Sequence, residues 1–465
     1  MVTRRSALAA WGAPWLRGLA QSRKERLNVL WIIGDDLGPQ LGCYGNRLVH
    51  TPNADALAEQ GVRFTHCFTP APVCSASRSA WNTGVYQTTT GTHNHRSHRR
   101  DGYRLPTTVR LVSHRMREAG YFTANVLEIA DGVRGSGKTD FNFQLEEKPF
   151  EGTHWNQRAP GQPFFAQINF TAPHKGPMWQ LARKQARLVD PQKVDLPPYY
   201  PDHPAVRDEV ANYLEAVNLW DQQLGAVVRA LRRDGLFDRT VIFVFGDNGR
   251  CLLRGKQWLY DPGTHVPLLV RWPGVTKAGA VRQDLVSALD IAATTLEIAG
   301  IPRPELFHGQ SLFSSPHPRQ FVFTARDRCD MTVDRIRAVR NHRYKLIRNF
   351  MPDRPYTQYN EYISKNYPTQ VVMKELYAKG KLDPVQAQWM AQRKPEWELY
   401  DLQQDPHEVR NFIGQPEHAA TFKRLRRVLE QWIEETNDQG RIPESQETIE
   451  REEPRARKRP GPNLG

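Results

Sequence analysis

Cys74-Ser75-Ala76-Ser77-Arg78 stands at a junction in the chain. Before it come an apolar, strand-like run over residues 62–68 and the bend Pro70-Ala71-Pro72. After it, Ser79-Ala80-Trp81-Asn82-Thr83-Gly84 reads as a short helix closed by glycine. The start of such a helix offers unpaired N–H groups and positive dipole potential, which favour an anionic ester group. By itself the pentapeptide also fits a buried structural cysteine. The rest of the chain decides between the two.

Residues 28–33 are apolar and β-branched, the pattern of a buried strand, and end in Gly34-Asp35-Asp36-Leu37-Gly38. Residues 240–245 repeat the pattern and end in Gly246-Asp247-Asn248-Gly249. In open α/β sheets, ligands bind beyond the carboxyl ends of the strands. Either pair alone reads best as a turn or helix cap. Together, four oxygen donors without a thiolate favour a hard cation such as Ca²⁺ or Mg²⁺.

These stretches resemble the type I sulfatases. In that family the motif cysteine is oxidised to formylglycine, and Asp-Asp and Asp-Asn pairs hold one Ca²⁺ beside it. The resemblance continues through Thr51-Pro52-Asn53-Ala54-Asp55, Pro173-His174 after a strand over residues 163–169, and Arg254-Gly255-Lys256. It reaches Leu399-Tyr400-Asp401-Leu402 and Asp405-Pro406-His407-Glu408, spanning residues 27 to about 432. It implies an alkaline-phosphatase-like α/β sandwich with a mostly parallel central sheet and a smaller C-terminal antiparallel sheet domain. It also points to bacterial sulfatases likened to N-sulphoglucosamine sulphohydrolase, hence to a heparan-type N-sulfo or O-sulfo sugar.

The same resemblance assigns roles. Asp35, Asp36, Asp247 and Asn248 would hold one Ca²⁺ per chain, with Cys74, as formylglycine, also on the metal. The formylglycine hydrate would attack sulfur. Arg78 would hold the hydrate. Lys138 and Lys256 would bind sulfate oxygens, and Lys256 or His174 would protonate the leaving group. Two departures stand out. Gly137-Lys138-Thr139-Asp140 places Asp140 where many relatives have histidine, so Asp140 is either the replacement base or a structural group. Ala76 replaces the commoner proline of the modification motif, so conversion of Cys74 depends on the host's formylglycine-generating maturation enzyme.

Thr92-His93-Asn94-His95-Arg96-Ser97-His98-Arg99-Arg100 is dense in histidine and arginine. Read blandly, it is a solvated basic loop. Read functionally, His93, His95 and Arg96, with Arg326 and Arg328, form a subsite for acidic sugar groups, or the histidine-rich segment replaces the missing family histidine.

The chain has 465 residues, enough for one large core and a smaller companion. Its mean hydropathy of −0.64 fits a soluble globular protein, and no apolar run reaches the ~20 residues of a membrane span. The net charge of +14, from 64 basic and 50 acidic residues, attracts polyanions. No nucleic-acid-binding motif accompanies it, so a sulfated saccharide is the expected partner. Cys43, Cys67, Cys74, Cys251 and Cys329 leave room for two bridges once Cys74 is modified, without requiring them. Thr3-Arg4-Arg5-Ser6-Ala7-Leu8 resembles a degenerate twin-arginine export signal. It implies a periplasmic or secreted protein and leaves a cytoplasmic one open.

Strands alternate with amphipathic helices to about residue 310, including a clear helix over residues 208–233. Short strands over residues 321–324, 336–340 and 344–349 and a helix over residues 419–434 read as a C-terminal unit. The expected divisions are an export signal or disordered segment (1–26), a catalytic domain (27–318), a C-terminal subdomain (319–438) and a disordered basic tail (439–465). Two other functions compete with a sulfatase. A phosphoesterase of the same superfamily would need two transition metals, and Asp247-Asn248 lacks the second zinc's histidine. A non-catalytic binder of sulfated glycans rests only on Asp140.

Overall fold

The computed structural model describes residues 26–98, 101–129, 132–184, 188–315 and 317–449. The twin-arginine stretch, Arg99, Arg100 and the basic run at residues 455–459 lie outside the described residues.

Seven strands form the main sheet: β1 Asn28–Gly34, β2 Val62–Phe68, β3 Phe122–Val126, β4 Phe164–Phe170, β5 Thr240–Gly246, β6 His265–Arg271 and β7 Ala280–Ser287. Their order is β3-β4-β1-β5-β6-β2-β7. Four neighbouring pairs are parallel, and β6 runs antiparallel to both β5 and β2. β1, β4 and β5 are buried along their whole length, because helices cover both faces. Alternation along β1 feeds two cores. Leu30 and Ile32 join the side covered by the helix Pro204–Arg233. Val29, Trp31 and Ile33 join the side covered by the helices Cys74–Thr83 and Leu289–Ile298. There Trp31 packs edge-on against Trp81 and Phe165 and donates its indole N–H to Thr295.

The long helix starts four residues before its expected position. His203 accepts the backbone N–H of Ala205, and Pro204 opens the first turn with a preset φ. The helix after the pentapeptide also starts earlier, at Cys74. The motif therefore lies inside its first turns, and Cys74 and Arg78 share one face a turn apart. Gly84 closes it at φ 71°, and a Cβ there would lie 2.4 Å from the Phe307 ring. Only glycine meets both constraints.

The second sheet comprises β8 Val322–Arg326, β9 Ile336–Arg340, β10 Tyr344–Asn349 and β11 Trp397–Asp401. It is antiparallel throughout, in the order β11-β10-β9-β8. β9 and β10 fall where the sequence places them. β11 falls on the Leu399-Tyr400-Asp401 signature, which carries too short an apolar run to announce a strand. Leu425, Leu429 and Trp432 of the helix Ala419–Glu435 close the sheet, in one core with Val286 and Leu296 of the first unit.

One expectation is corrected. Residues 439–449, polar and charged, were expected to lack fixed structure, but they are tied to the body at Gln439 and Glu444. Gln439 donates its backbone N–H to Thr88 O at 2.9 Å, and Glu444 pairs with Arg328. Just before them Asp438 clamps the fully buried Arg337. Buried arginines need counter-charges; Asp438 supplies one to Arg337 and Glu444 one to Arg328. The five cysteines are all free thiols. No helix among the described residues is long and apolar enough to cross a membrane.

Candidate active site

β1 and β5 are parallel neighbours in perfect register, with Gly34 opposite Gly246. Both strands therefore release their acidic pairs at the same level. Asp36 adopts φ 59°, and its backbone N–H donates to Asp247 Oδ1 at 2.9 Å. Asn248 Nδ2 donates to Asp36 Oδ1 at 2.7 Å. Cys74 enters from the start of its helix. Its Sγ lies 3.5 Å from Asp35 Oδ1 and 3.9 Å from Asp36 Oδ1. Ligand atoms of Asp35, Asp36, Cys74 and Asp247 all lie within 4.8 Å of one another.

Cations surround this cluster. Arg78 is fully buried; its Nε donates to Asp247 Oδ2 at 2.9 Å and its Nη1 to Asn169 Oδ1 at 2.6 Å. Lys138 Nζ contacts both oxygens of Asp35 at 2.9 and 2.8 Å. Lys256 Nζ contacts Asp36 at 2.8 Å and Cys74 Sγ at 3.3 Å. His174 Nε2 lies 3.7 Å from Asp36 Oδ2. The predicted core of the site is thus brought together from loops after β1, β4 and β5, the Cys74 helix and the loop holding Lys138.

The electrostatics follow from crowding. Burial pushes the Cys74 thiol up, although Lys138 and Lys256 pull the other way. A thiol so held is a poor nucleophile. Burial and the Asp35 charge raise Asp247. Burial opposes ionisation of Asp35 too, but Lys138, His174 and Arg78 hold it well below the usual range. Burial, then Lys256, lowers His174 to about 4.

The donor set fits a hard cation. Three carboxylates converge, and the buried Asn248 Oδ1 has no hydrogen-bond partner among the described residues. An orphaned amide oxygen beside clustered carboxylates is what an oxygen-ligated divalent ion satisfies.

The sulfatase family model matches residues 27–301. This chain belongs to the sulfatase family. A second family, N-sulphoglucosamine sulphohydrolase, C-terminal, matches residues 250–394. The sulfatase is 32% identical to an ulvan-active sulfatase of Formosa agariphila, over 91% of this chain and 77% of the relative. It is 27% identical to N-sulphoglucosamine sulphohydrolase of Homo sapiens, over 90% of this chain and 92% of that protein. Its fold is shared by a phosphonate monoester hydrolase of Agrobacterium radiobacter, with TM-score 0.66 and 17% identity over 88% and 96% of the two chains. The architecture is the alkaline-phosphatase-like sandwich, and the protein is a sulfuric ester hydrolase.

The expected basic subsite is arranged differently from its sequence reading. Arg326 is interior, bonded to Asp334 and Thr332 and stacked over Trp258. Arg328 is clasped by Glu444, its side chain 2% exposed. His93 is buried, and burial lowers its pKa, with the Asp327 charge opposing and Arg337 adding. His95 is buried too, with Nδ1 3.0 Å from Asp330 Oδ1. Of the five, Arg96 keeps the most open side chain, 23% exposed, and it clasps Asp140. Guanidinium groups that close under a sheet's polar edge become structural once carboxylates desolvate with them.

Three contributors escaped the sequence reading. Asn169 ends β4 as a buried polar group, and its place beside Arg78 depends on strand order. Tyr362, on the helix Glu361–Asn366, sets its ring 5.8 Å from Lys256 Nζ and 6.0 Å from the His174 ring. Cys329, in the β8–β9 loop, packs on Ala71, Val73 and Ala76 and so braces the nucleophile loop. Only the polar residue at the end of an apolar strand left a sequence signal. A separate cavity of about 760 Å³ in the seam between the sheets, lined by His66, Asp261, His265 and Arg340, shares no residue with this cluster.

Proposed function

We propose that the sulfatase cleaves a sulfate ester or N-sulfo group of a sulfated saccharide, with Cys74 matured to formylglycine and one Ca²⁺ held by Asp35, Asp36, Asp247 and Asn248. The observation that carries this reading is Cys74 Sγ, 3.3 Å from Lys256 Nζ and within 3.9 Å of Asp35 and Asp36. The nucleophile position thus adjoins both the candidate cation ligands and the candidate sulfate-binding cations. Burial raises the pKa of the thiol, so as a thiol it would be a poor nucleophile, and the sulfatase motif around it supports conversion by a separate maturation enzyme. The bound cation would neutralise charge on the sulfonyl oxygens.

Within this reading, Arg78 orients the nucleophile, its own direction fixed by Asp247 and Asn169. Lys138 and Lys256 hold sulfate oxygens. Lys256 or His174, both beside the Asp36 carboxylate, gives the leaving oxygen its proton. The twin-arginine-like start supports export, where sulfated polysaccharides are met. N-sulphoglucosamine and ulvan, named by the relatives, are the substrates to try first.

The deciding measurement is the mass of the peptide containing Cys74, with metal content. The converted peptide is about 18 Da lighter than the cysteine form, with about one calcium per chain. An unmodified thiol, or about two zinc ions, refutes the mechanism. The competing phosphoesterases usually hold two transition metals, whereas both metal-competent groupings among the described residues share Asp36 and Cys74. They make one centre.

A further inference from the structure

Arg96 and Asp140 form the most constrained pair at the edge of the site. Arg96 Nε and Nη2 donate to the two oxygens of Asp140 at 3.0 and 2.8 Å. Both residues sit at positive φ, 62° and 49°. Each such conformation costs about 1–3 kcal/mol in a non-glycine residue and persists only where surroundings enforce it. The enforcement is visible: the Arg96 backbone N–H donates to Ser75 Oγ at 3.0 Å, pinning its loop to the first turn of the Cys74 helix. The Asp140 side chain is 2% exposed, whereas that of Arg96 is 23% exposed. Nη1 of Arg96 has no hydrogen-bond partner among the described residues. The pair lies within electrostatic reach of Cys74, and Lys138 Nζ lies 3.7 Å from Asp140 Oδ2.

We propose that Arg96 is an anion-binding residue of the sulfatase site, taking a sulfate oxygen beside Cys74, and that Asp140 positions it. A general base needs a lone pair facing the proton it removes. Both Asp140 oxygens instead accept from the Arg96 guanidinium in the fork geometry that arginine and carboxylate share, with Lys138 also beside one of them. Asp140 therefore does not replace an imidazole base; it aims a cation. The remaining Arg96 N–H groups point a fixed charge at an anion, as an ammonium on a flexible stem would not.

This rests on the sulfatase reading, so its test reads binding as well as turnover. Inorganic sulfate is titrated calorimetrically into the full-length protein and its variants, alongside steady-state kinetics on an aryl sulfate. Arg96→Ala weakens sulfate binding roughly 10- to 100-fold, the loss of a charge-assisted contact, and raises KM more than it lowers kcat. Asp140→Asn, which still accepts one bond, weakens sulfate roughly 3- to 10-fold. The double variant is no worse than Arg96→Ala, because the two act as one unit. Arg96→Lys guards against misfolding: it keeps the charge without the fork and falls between. Wild-type sulfate affinity in a folded Arg96→Ala protein overturns the proposal. So does an Asp140→Asn protein with full sulfate affinity and kcat down more than about 100-fold, which makes Asp140 the base. If no variant, nor the parent, turns over any ester, the formylglycine reading fails, and the sulfate affinities still judge Arg96.

Discussion

Asn169→Ala tests whether the strand order of the main sheet tunes the nucleophile. Asn169 Oδ1 accepts Arg78 Nη1 at 2.6 Å, while the next acceptor, Lys138 O, lies 3.5 Å away. Both side chains are fully buried. Removing the amide leaves a charged N–H without a good partner, a cost of about 1–3 kcal/mol. If all of it fell on the transition state, kcat/KM would drop roughly 5- to 150-fold. Part will appear as lost stability, because Arg78 is equally unpaired in the resting protein. We expect kcat/KM on an aryl sulfate about tenfold lower, with a lower thermal midpoint. Asn169→Asp separates the two. It gives Arg78 a charged acceptor and removes the amide N–H that is buried without a partner. Its midpoint should recover, while activity stays low because a fourth carboxylate joins the cluster. Parental activity and midpoint in Asn169→Ala would refute the claim that Asn169 orients Arg78.

Asp247→Ala should abolish activity and weaken Ca²⁺ binding together, since it removes one of three converging carboxylates; unchanged affinity in a Ca²⁺ titration places the ion elsewhere. Asp438→Ala should lower stability by about 3–5 kcal/mol, because Arg337 stays buried with only Asp327 as counter-charge; an unchanged unfolding curve would show the clamp to be idle. His66 is held down to about 4 by burial, with Arg340, His265 and His342 adding and Asp261 opposing. The folded state prefers its neutral form, so this stability is complete above about pH 6.5 and is lost as pH falls towards 4. His66→Gln should flatten the fall in thermal midpoint over that range, and an equal slope in parent and variant would refute it.

The sequence, through its resemblance to the sulfatases, was enough for the class of fold and for naming candidates for the inner site. β-branched runs ending in Gly-Asp-Asp and Gly-Asp-Asn are local signals, and the Cys-x-Ala-x-Arg stretch is another. Buried strands and their acidic ends are written in neighbouring residues, so Asp35, Asp36, Asp247 and Asn248 could be picked out before any contact was known, and the family resemblance added Cys74 and Arg78. The final helix and two strands of the small sheet were equally legible.

What only the tertiary structure decided is which charges face one another. The register of β1 against β5 brings Gly34 level with Gly246 and makes one centre from two acidic pairs 212 residues apart. Arg96, Arg326 and Arg328 look alike in sequence, yet Asp334 and Glu444 turn two of them into buried structural pairs, and Asp140 leaves the third partly open. The polar stretch after Gln439 reads as disordered by composition, yet its Glu444 is held by the buried Arg328. A charged residue's role depends on its partner and its depth, and both are set by long-range packing. Periodicity records which face of an element is buried; it does not record which counter-charge waits there.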